Sequence, residues 1–324
     1  MREWHIGKND GGQRLDKFLL KSLPGVPPSL LYKSIRTKKI KVNRKRGEPS
    51  QILQEGDTLQ LFLAESVFLD AKSMPLEQVL AEQKVNLSVL YEDEHILVVH
   101  KPAGLSVHED EEQTDHNLLS MVHAYLFQKG EYRPSEEHCF APALCHRIDR
   151  NTDGLVILAK TAEALRVMTE KIRLRQVDKY YLCVVHGIPY PDHARLSAWH
   201  VKDEKNKKVR IYSKTPPKNA KKIETEYRVL AQKGDLALLE VQLHTGRTHQ
   251  IRAHMAHVGH PLLGDGKYGI NAEDRKKGFS HQALCAYRLV FAFDEPSTCL
   301  SHLKGKEIAL PQSQISFLSL FDGI

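Results

Sequence analysis

The sequence predicts an α+β fold: a large mixed, mostly antiparallel β-sheet with flanking helices and loops, preceded by a small α/β module. Strand-like apolar runs outnumber helical patterns from residue 86 onward, and they do not alternate regularly with helices as in a parallel α/β protein. The length of 324 residues suits roughly two domains. A charge imbalance also separates the start of the chain from the rest.

The net charge of +7 lies entirely near the start of the chain, because residues 1–63 contain 13 Lys or Arg and 6 Asp or Glu. The run KSIRTKKIKVNRKR, residues 33–46, carries eight basic groups and no acidic one. Such a density attracts polyanions through counterion release. A solvated basic surface is the ordinary interpretation of a charge run, so nucleic acid is one candidate partner and no partner is the alternative.

The first module is predicted to contain two helices and a hairpin. Apolar residues at i, i+3 and i+4 spacing in RLDKFLLKSL, residues 14–23, predict the first helix. Ser29 is expected to cap a second helix that ends near Arg36. Strands at 39–43 and 58–64 are expected to follow. The apolar positions of the helices are Leu15, Phe18, Leu19 and Leu23, then Leu30, Leu31 and Ile35.

This module resembles the ribosomal-protein-S-four-like RNA-binding domain. The resemblance rests on RLDKFLLKSL, SLLYKSIRTKKIKVNRK and ILQEGDTLQLF. One position departs from that family, which often has Gly where this chain has Arg44. The resemblance implies an RNA-binding domain over residues 1–64, with a linker at 65–85. The residues expected to contact RNA are Arg14, Lys33, Arg36, Lys38, Lys39 and Lys41.

The second domain, residues 86–324, is expected to hold most of the strands. Helices are expected at 161–173, with Thr161 as the cap, and around 247–258. Residues 201–222 are polar and predict mainly an exposed excursion. The predicted strands are two runs within 87–104, LVILAK (155–160), YYLCVVHG (180–187), IETEYRVL (223–230), DLALLEVQL (235–243) and ALCAYRLVFAF (283–293).

The cysteine pattern indicates a reducing compartment, and the lack of long apolar runs argues against membrane insertion. Five cysteines, with no C-x-x-C pair, favour buried free thiols over a disulfide framework. The first residues, MREWHIGKND, lack the apolar core of a signal peptide, and no apolar run approaches a membrane span. We therefore expect a cytoplasmic protein that does not enter a membrane. No glycine-rich phosphate loop predicts a nucleotide cofactor.

Three segments of the second domain together resemble the large pseudouridine synthase family that modifies ribosomal and transfer RNA. They are LYEDEHILVVHKPAGLSVH, the core HRIDRNTDG at 146–154, and LEVQLHTGRTHQIRAHMAHVGHPLLGDGKYG. Secondary matches are KYY at 179–181 and the late QALCAYRLVF. The resemblance spans residues 86–293 and implies an RNA uridine isomerase that uses no cofactor and no metal.

The resemblance makes Asp149 the catalytic residue. In this family the aspartate of the second segment attacks or deprotonates during cleavage of the carbon–nitrogen bond of uridine, and the freed uracil rejoins ribose through carbon 5. The carboxylate has to be ionised, a state that a nearby cation favours, and Arg252 is the implied ion partner. From the local sequence alone, a turn residue at the end of a strand is the simpler interpretation of Asp149.

Other roles follow from the same resemblance. Arg147 is implied to support a flipped-out uridine, because a base cannot be modified within the stack; an ordinary phosphate-pairing arginine is the alternative. Tyr181 is implied to stack on uracil and to serve in proton transfer. Its neighbour Tyr180, on the opposite strand face, is the competitor for this role, and a core tyrosine is the other interpretation of Tyr181. Leu284 is expected to line the uracil pocket or to belong to the core. The remaining residues expected to bind substrate are Lys101, Arg150, Arg247, His249 and Gln250.

Two positions depart from the pseudouridine synthase family: Asp153, where Ser or Gly is common, and Cys285, where many members have His. They leave the substrate preference open, with ribosomal RNA preferred and transfer RNA possible. The likeness also implies a monomer. A catalytically silent RNA-binding protein on the same fold is the alternative, and it predicts loss of Asp149, Tyr181 or Arg252, all of which are present.

Five histidines within 17 residues raise the further alternative of a metal-dependent hydrolase. Zinc-binding helices favour two histidines at i, i+4 with a nearby acidic residue. Here the spacings are 5, 5, 3 and 3, and no Asp or Glu lies between the first and the last histidine. Hydrogen bonding to RNA or core packing is the simpler interpretation of His244, His249, His254, His257 and His260.

Overall fold

The computed structural model describes residues 1–64, 67–68, 76–108, 116–203, 205–206, 208–269, 272–294 and 299–321. The chain forms two compact units. The first comprises Met1–Asn86, Met121–Ala143 and Lys160–Glu163, and the second comprises Leu87–Ser120, Leu144–Ala159 and Ala164–Ile324. Residues 121–143, which lie well inside the expected second domain, thus belong to the first unit.

Two helices and a four-stranded antiparallel sheet build the basic part of the first unit. The elements are β1 (Arg2–His5), α1 (Leu15–Ser22), α2 (Pro28–Arg36), β2 (Ile40–Val42), β3 (Lys45–Arg46) and β4 (Thr58–Leu61). The sheet order is β1-β4-β2-β3. The predicted stripe of α1 is fully buried at Leu15, Phe18 and Leu19, and it packs with strand residues in one apolar core. The helices and the hairpin were predicted, whereas β1 was not.

Two details of α2 correct the prediction. The helix begins at Pro28, whose missing N–H suits the first helical position, so Ser29 lies inside the helix and is not its cap. Leu30 was predicted on the apolar side but is 42% exposed, whereas Leu31 and Ile35 are buried. The buried face of α2 is therefore narrower than the sequence suggested.

Two further helices were not predicted. Helix α3 (Leu76–Glu82) lies in the segment expected to be a linker, of which residues 65–66 and 69–75 are outside the described residues. Helix α4 (Leu118–Gln128) has the sequence LLSMVHAYLFQ, which is apolar on several sides. Its helical periodicity is weak for that reason.

An 11-stranded mixed sheet forms the centre of the second unit. Its strands are β5 (Ser88–Glu92), β6 (Ile96–Lys101), β7 (Ala143–Leu144), β8 (Asp153–Ala159), β9 (Val177–His186), β10 (His193–Asp203), β11 (Lys208–Tyr212), β12 (Lys221–Lys233), β13 (Leu236–Leu243), β14 (Leu284–Phe291) and β15 (Glu307–Ala309). The order is β11-β10-β12-β13-β9-β14-β8-β6-β5, with β15 beside β14 and β7 beside β8. Strands β8 and β14 run parallel, and the other neighbours along this order run antiparallel. The predicted α+β fold with a mostly antiparallel mixed sheet is confirmed.

The helices of the second unit agree with the prediction in two of three cases. Helix α5 (Ala162–Arg173) begins after Thr161, and α6 (Gln250–His257) lies within the predicted range; α7 (Ala272–Lys276) was not predicted. Ala164 and Met168 of α5 are buried in the apolar core of this unit. A short 3-10 helix at Ser301–Leu303 lies between β14 and β15, and two more, at Gln312–Gln314 and Ser316–Phe321, follow β15.

The prediction of an exposed excursion at 201–222 is wrong for much of that segment. Strand β10 continues to Asp203, β11 follows, and β12 begins at Lys221, so the segment forms a hairpin and the start of a third strand. Residues 204 and 207 are outside the described part of the chain. Because β11 is an edge strand of the sheet, charged side chains are expected there, and they hide the strand pattern.

No described helix is long and apolar enough to cross a membrane. None of the five cysteines forms a disulfide; Cys145, Cys183 and Cys285 are buried, and Cys139 and Cys299 are half-buried. The structure therefore agrees with the expected lack of a disulfide framework, whereas burial holds for three of the five thiols.

Candidate active site

Asp149 lies in the turn between β7 and β8, where its backbone carbonyl accepts a hydrogen bond from the N–H of Thr152. Its carboxylate oxygen Oδ2 is 3.0 Å from Nη1 of Arg252 in α6. The structure thus brings together the two residues that the motifs single out, although 103 positions separate them. Asp149 retains 26% of its side-chain exposure, so a ligand can reach the carboxylate.

A second carboxylate, which the sequence reasoning missed, holds Arg252 in place. Asp265 accepts two hydrogen bonds from the guanidinium, at 2.7 Å from Nε and 2.9 Å from Nη2. Burial opposes the charge of Arg252, but Asp265 and Asp149 outweigh it and raise the pKa of Arg252. Burial also opposes the charge of Asp265, yet Arg252 keeps the pKa of Asp265 below its usual value. The guanidinium is therefore a fixed cation that faces Asp149 with one N–H.

Tyr181 and Leu284 line the same face of the sheet. The register pairs Tyr181 with Ala286 and Cys183 with Leu284 on neighbouring strands, and side chains two residues apart point to one face. Burial, and then the negative charge of Asp149, raise the pKa of Tyr181, so its hydroxyl stays protonated. That hydroxyl makes no hydrogen bond to another described residue. Tyr180 points to the opposite face, where the guanidinium of Arg288 lies 3.9 Å from its ring centroid.

Lys101 has a different environment from the one predicted. Its side chain is fully buried, and its ammonium donates to the backbone carbonyls of Pro102, Leu105 and Arg150 at 2.8–2.9 Å. Burial lowers the pKa of Lys101 to about 8, against the opposing charges of Asp153 and Asp149. Three donor hydrogens and three carbonyls leave none for a ligand. The expectation that Lys101 binds substrate directly does not fit this geometry; Lys101 instead holds the carbonyl next to Asp149.

Gln250 is likewise buried, at 2% exposure, and its side chain organises the loop before α6. Its amide donates to the carbonyl of Glu224 and the hydroxyl of Thr225, and its oxygen accepts from the hydroxyl of Thr245 and the backbone N–H of Arg247. These four hydrogen bonds occupy the side-chain amide of Gln250, so the expected contact with substrate does not fit this geometry. The side chain of Arg247 itself is exposed.

The two arginines beside Asp149 are both exposed. Arg147 Nη1 lies 3.1 Å from the ring nitrogen Nε2 of His108. Arg150 Nε donates to the carbonyl of Gly104 at 3.1 Å. Both side chains therefore lie at the surface beside the turn that carries Asp149.

The histidine of the same motif, His146, anchors this turn to the sheet. The backbone N–H of Ile157 in β8 donates to His146 Nε2 at 3.1 Å. Burial is the main reason that the pKa of His146 falls to about 3. The ring is therefore neutral at physiological pH and can act as the acceptor that this contact requires.

His249 also lies close to the carboxylate of Asp149. It precedes α6 in the left-handed region, with φ of 51°, and its Nε2 is 3.9 Å from Asp149 Oδ2. Its Nδ1 is 2.8 Å from the hydroxyl of Tyr268, a residue that the sequence reasoning did not single out. Burial is the main cause that lowers the pKa of His249 to about 4, so the imidazole is neutral at physiological pH.

The two departures from the family are direct neighbours in the sheet. Cys285 of β14 pairs with Asp153 of β8 in the parallel register, and Asp153 Oδ1 is 2.5 Å from Nε2 of His100. The following Gly154 has φ of 128°, and a Cβ there would lie 2.4 Å from the backbone of Ala286. Asp153 therefore replaces the common small residue with a charged one at a crowded strand junction, and His100 is its partner.

The five clustered histidines do not converge on one point. Among the described residues, no group of three or more His, Cys, Asp or Glu side chains is arranged to hold a metal ion. Their partners are Glu226 for His244, Tyr268 for His249, Thr225 for His254, Ser213 for His257 and the carbonyl of His186 for His260. These contacts agree with packing and hydrogen bonding.

The basic surface of the first unit contains a cavity of about 390 Å³. It lies beside α2 and includes two of the predicted RNA contacts, Lys33 and Arg36. Tyr32 and Arg46 also line it and were not predicted. The lining residues are Ser29, Tyr32, Lys33, Ile35, Arg36, Arg46 and Pro49.

The other predicted RNA contacts differ in their freedom. Arg14 donates two hydrogen bonds to the buried carboxylate of Asp16, at 2.8 and 3.1 Å, so part of its charge is already neutralised. Lys38 and Lys39 are exposed. The ammonium of Lys41 lies 5.2 Å from the ring centroid of Phe62. The side chains of α2 and of the following turn therefore form the more available part of this surface.

Sequence comparison finds two families along the chain. The family model of RNA pseudouridylate synthases matches residues 95–257, and the family model of the S4 domain matches residues 13–59. A ribosomal large subunit pseudouridine synthase C of Buchnera aphidicola subsp. Schizaphis graminum is 36% identical over 272 residues, covering 82% of this chain and 80% of the relative. An uncharacterized RNA pseudouridine synthase of Aquifex aeolicus is 32% identical over 309 residues, covering 88% and 91%.

Comparison with solved structures agrees on the fold. The human RNA pseudouridylate synthase domain containing 4 protein superposes with a TM-score of 0.56 at 24% identity, over 75% of this chain and 94% of that one. At such identity the likeness concerns the fold alone. A second human protein, RNA pseudouridylate synthase domain containing 1, has a TM-score of 0.52 at 21% identity.

Proposed function

The chain belongs to the RNA pseudouridylate synthase family, and from this premise we propose that Asp149 is the carboxylate that isomerises uridine to pseudouridine in RNA. The observation that carries the proposal is the ion pair between Asp149 and Arg252. The cation favours the ionised carboxylate that the reaction needs, and Asp265 fixes the cation from its buried side. Asp149 meanwhile keeps an exposed surface for the substrate.

The reaction exchanges one glycosidic bond for another. The bond between N1 of uracil and C1′ of ribose breaks with Asp149 as the nucleophile or base, the base turns, and C5 bonds to C1′. The hydrogen of C5 leaves as a proton, and N1 gains a proton, so atoms and electrons balance without a redox partner. The hydroxyl of Tyr181 is protonated, since burial and the charge of Asp149 raise its pKa, and it is proposed to donate a hydrogen bond to the base and to exchange a proton with it.

The substrate uridine has to leave the RNA stack to reach Asp149, since a stacked base is inaccessible. Arg147 and Arg150 flank Asp149 in the chain and are exposed. Arg147 is proposed to support the flipped state, and Arg150 and Arg247 to bind phosphates around it. His249 and Leu284 complete the site, the first by hydrogen bonding and the second as an apolar wall for uracil. Lys101 and Gln250 act on the backbone of the site instead of on the substrate.

The proposed substrate is ribosomal RNA. Two observations support it: relatives whose names specify the large ribosomal subunit match most of this chain, and residues 13–59 match the S4 domain. Residues 1–64 are proposed as the RNA-binding domain and 86–324 as the catalytic domain, with the surface around Lys33 and Arg36 in contact with phosphates. We further propose a cytoplasmic monomer, which light scattering of the purified chain at micromolar concentration would test.

Tritium release tests the catalytic assignment, because the hydrogen at C5 is lost in the reaction. With ribosomal RNA labelled at C5 of uridine, Asp149→Asn should lower the rate by on the order of 10³-fold or more, with RNA affinity unchanged within a few fold. Asp192→Asn, at an exposed acid outside the site, is the matched control and should retain the wild-type rate. Turnover by Asp149→Asn would refute the assignment. RNA binding by a wild-type chain without turnover would favour the alternative of a silent RNA-binding protein.

A further inference from the structure

The hydroxyl of Tyr268 connects the hairpin formed by β10 and β11 to the candidate active site. The backbone N–H of Val209 in β11 donates to the hydroxyl oxygen of Tyr268 at 2.9 Å. That oxygen is also 2.8 Å from Nδ1 of His249. One phenol group therefore contacts both the edge strand of the sheet and the histidine beside Asp149.

The direction of these two hydrogen bonds can be derived from the donors available. A backbone N–H can only donate, so the oxygen of Tyr268 accepts from Val209. The hydroxyl still carries its own proton, since burial raises the pKa of Tyr268 to about 12. That proton is well placed for Nδ1 of His249, which then acts as the acceptor. A neutral imidazole with an accepting Nδ1 carries its hydrogen on Nε2.

The Nε2–H of His249 then lies at the catalytic carboxylate. Its distance of 3.9 Å from Asp149 Oδ2 is too long for a hydrogen bond, so the carboxylate does not consume this donor. A uridine that approaches Asp149 can accept from it through a carbonyl or ribose oxygen. In the other tautomer Nε2 would be an acceptor and would repel the same oxygen.

We propose that Tyr268 is a positioning residue that holds His249 in the Nε2–H tautomer beside Asp149, and that the β10–β11 hairpin fixes Tyr268 for this task. The proposal rests on the proposed function, because it assumes that uridine reacts at Asp149. The ring of Tyr268 lies 5.4 Å from the guanidinium carbon of Arg252, so the same side chain also packs against the cation of the site. Removal of the hydroxyl alone separates the two effects.

Nitrogen NMR of histidine in the full-length chain tests the tautomer directly. The wild type should show His249 with protonated Nε2 and unprotonated Nδ1. Tyr268→Phe keeps the ring and removes the hydroxyl, so the resonances should shift toward the Nδ1–H form. The matched control is Tyr227→Phe, which removes a hydroxyl that donates to the carbonyl of Pro191. An unchanged His249 spectrum in Tyr268→Phe, or an Nδ1–H tautomer in the wild type, would overturn the proposal.

Kinetics test whether the tautomer matters for the reaction. Tyr268→Phe should lower kcat by about fivefold to tenfold, the rate equivalent of one hydrogen bond, with KM changed less than kcat. A normal kcat despite a shifted tautomer would contradict the positioning role. An inactive wild type would count against the proposed function, while the spectrum would still decide the tautomer.

A second variant covers the case in which Tyr268→Phe does not fold. Difluorotyrosine at position 268 keeps the hydroxyl and makes it a stronger donor. The Nδ1 resonance of His249 should then move while the tautomer stays Nε2–H. No movement of that resonance would overturn the hydrogen bond on which the proposal depends.

Discussion

At the scale of single residues, the site depends on how one arginine is shared between two carboxylates. Asp265 is fully buried and takes two N–H groups of Arg252, whereas Asp149 is partly exposed and takes one. Buried ion pairs repay their desolvation only when the geometry is good and the remaining donors are satisfied. The bidentate pair with Asp265 meets this condition, so the orientation of Arg252 does not depend on Asp149.

Asp265→Asn should therefore destabilise the protein, because it removes the buried negative charge that pairs with Arg252. Breaking a buried pair of this kind typically costs about 3–5 kcal/mol. The pKa of Asp265 is lowered in the folded state, so its contribution is complete above the unfolded value of about 3.9 and is lost as the pH falls through the folded value. Calorimetry should show the largest difference in melting temperature from wild type near pH 7 and a shrinking difference below about pH 4. A difference that does not depend on pH would contradict this electrostatic account.

The structure brings some of the expected site residues together and orients others away from the carboxylate of Asp149. Asp149 and Arg252 were paired correctly in space because motif resemblance identifies positions far apart in the chain. Lys101 and Gln250 were expected at the substrate, yet both are buried and bind backbone groups. Asp265 stands inside the third motif among other polar residues, and only the folded turn decides that it points inward.

At the scale of elements, the β2–β3 turn shows how the chain accepts an unusual residue. Val42 pairs with Lys45, so Asn43 and Arg44 form a two-residue loop, and both have positive φ, 50° and 66°. Such turns favour Asn followed by Gly. Arg44 thus occupies a strained position on the basic surface. Its charge is compatible with a role in RNA binding.

Arg44→Gly should stabilise this hairpin and weaken RNA binding together. Relief of the left-handed backbone strain is worth about 1–2 kcal/mol, and the flexibility of Gly in the unfolded chain offsets about 0.5–1 kcal/mol of it. Hydrogen exchange of the β2 amides in the full chain should therefore slow. Lys45→Ala removes the same charge without changing the turn, so it should weaken RNA binding similarly and leave exchange unaltered. Faster exchange in Arg44→Gly would contradict the strain argument.

Each element that the sequence did not predict was missed for a physical reason. Strand β11 carries charged residues at the sheet edge, and its neighbour β10 has few buried positions, so neither strand shows a clear apolar pattern. Helix α4 is too uniformly apolar for clear periodicity. By contrast, α1 and α5 were predicted because their burial follows the helical period. Strand β8 was predicted because its sequence is a continuous apolar run, and it is buried along nearly its whole length.

At the scale of the whole molecule, the charge is concentrated where RNA is proposed to bind. All of the net charge of +7 lies in residues 1–63, and Lys33, Arg36 and Arg46 surround one cavity there. An electrostatic interface of this kind has an affinity that falls with salt in proportion to the phosphates neutralised. The composition alone suggested a polyanion, but only the fold shows which basic side chains share a surface.

Neutralising Lys33, Arg36 and Arg46 to alanine should weaken RNA binding and reduce the slope of log affinity against log salt by roughly 2–3. The control is a triple alanine variant at Lys233, Lys276 and Lys277, which are exposed in the second unit. This variant loses the same net charge. Binding assays between about 50 and 200 mM salt compare the two. Equal slopes for both variants would show that net charge matters and that this surface does not.

Pseudouridine mapping of ribosomal RNA tests the central claim most directly. RNA from cells that lack the gene would be compared with RNA from the same cells complemented by the wild type or by Asp149→Asn. We predict that at least one pseudouridine is lost on deletion and returns with the wild type but not with Asp149→Asn. Restoration of the modification by Asp149→Asn, or ribosomal RNA that is unchanged by the deletion, would contradict the account.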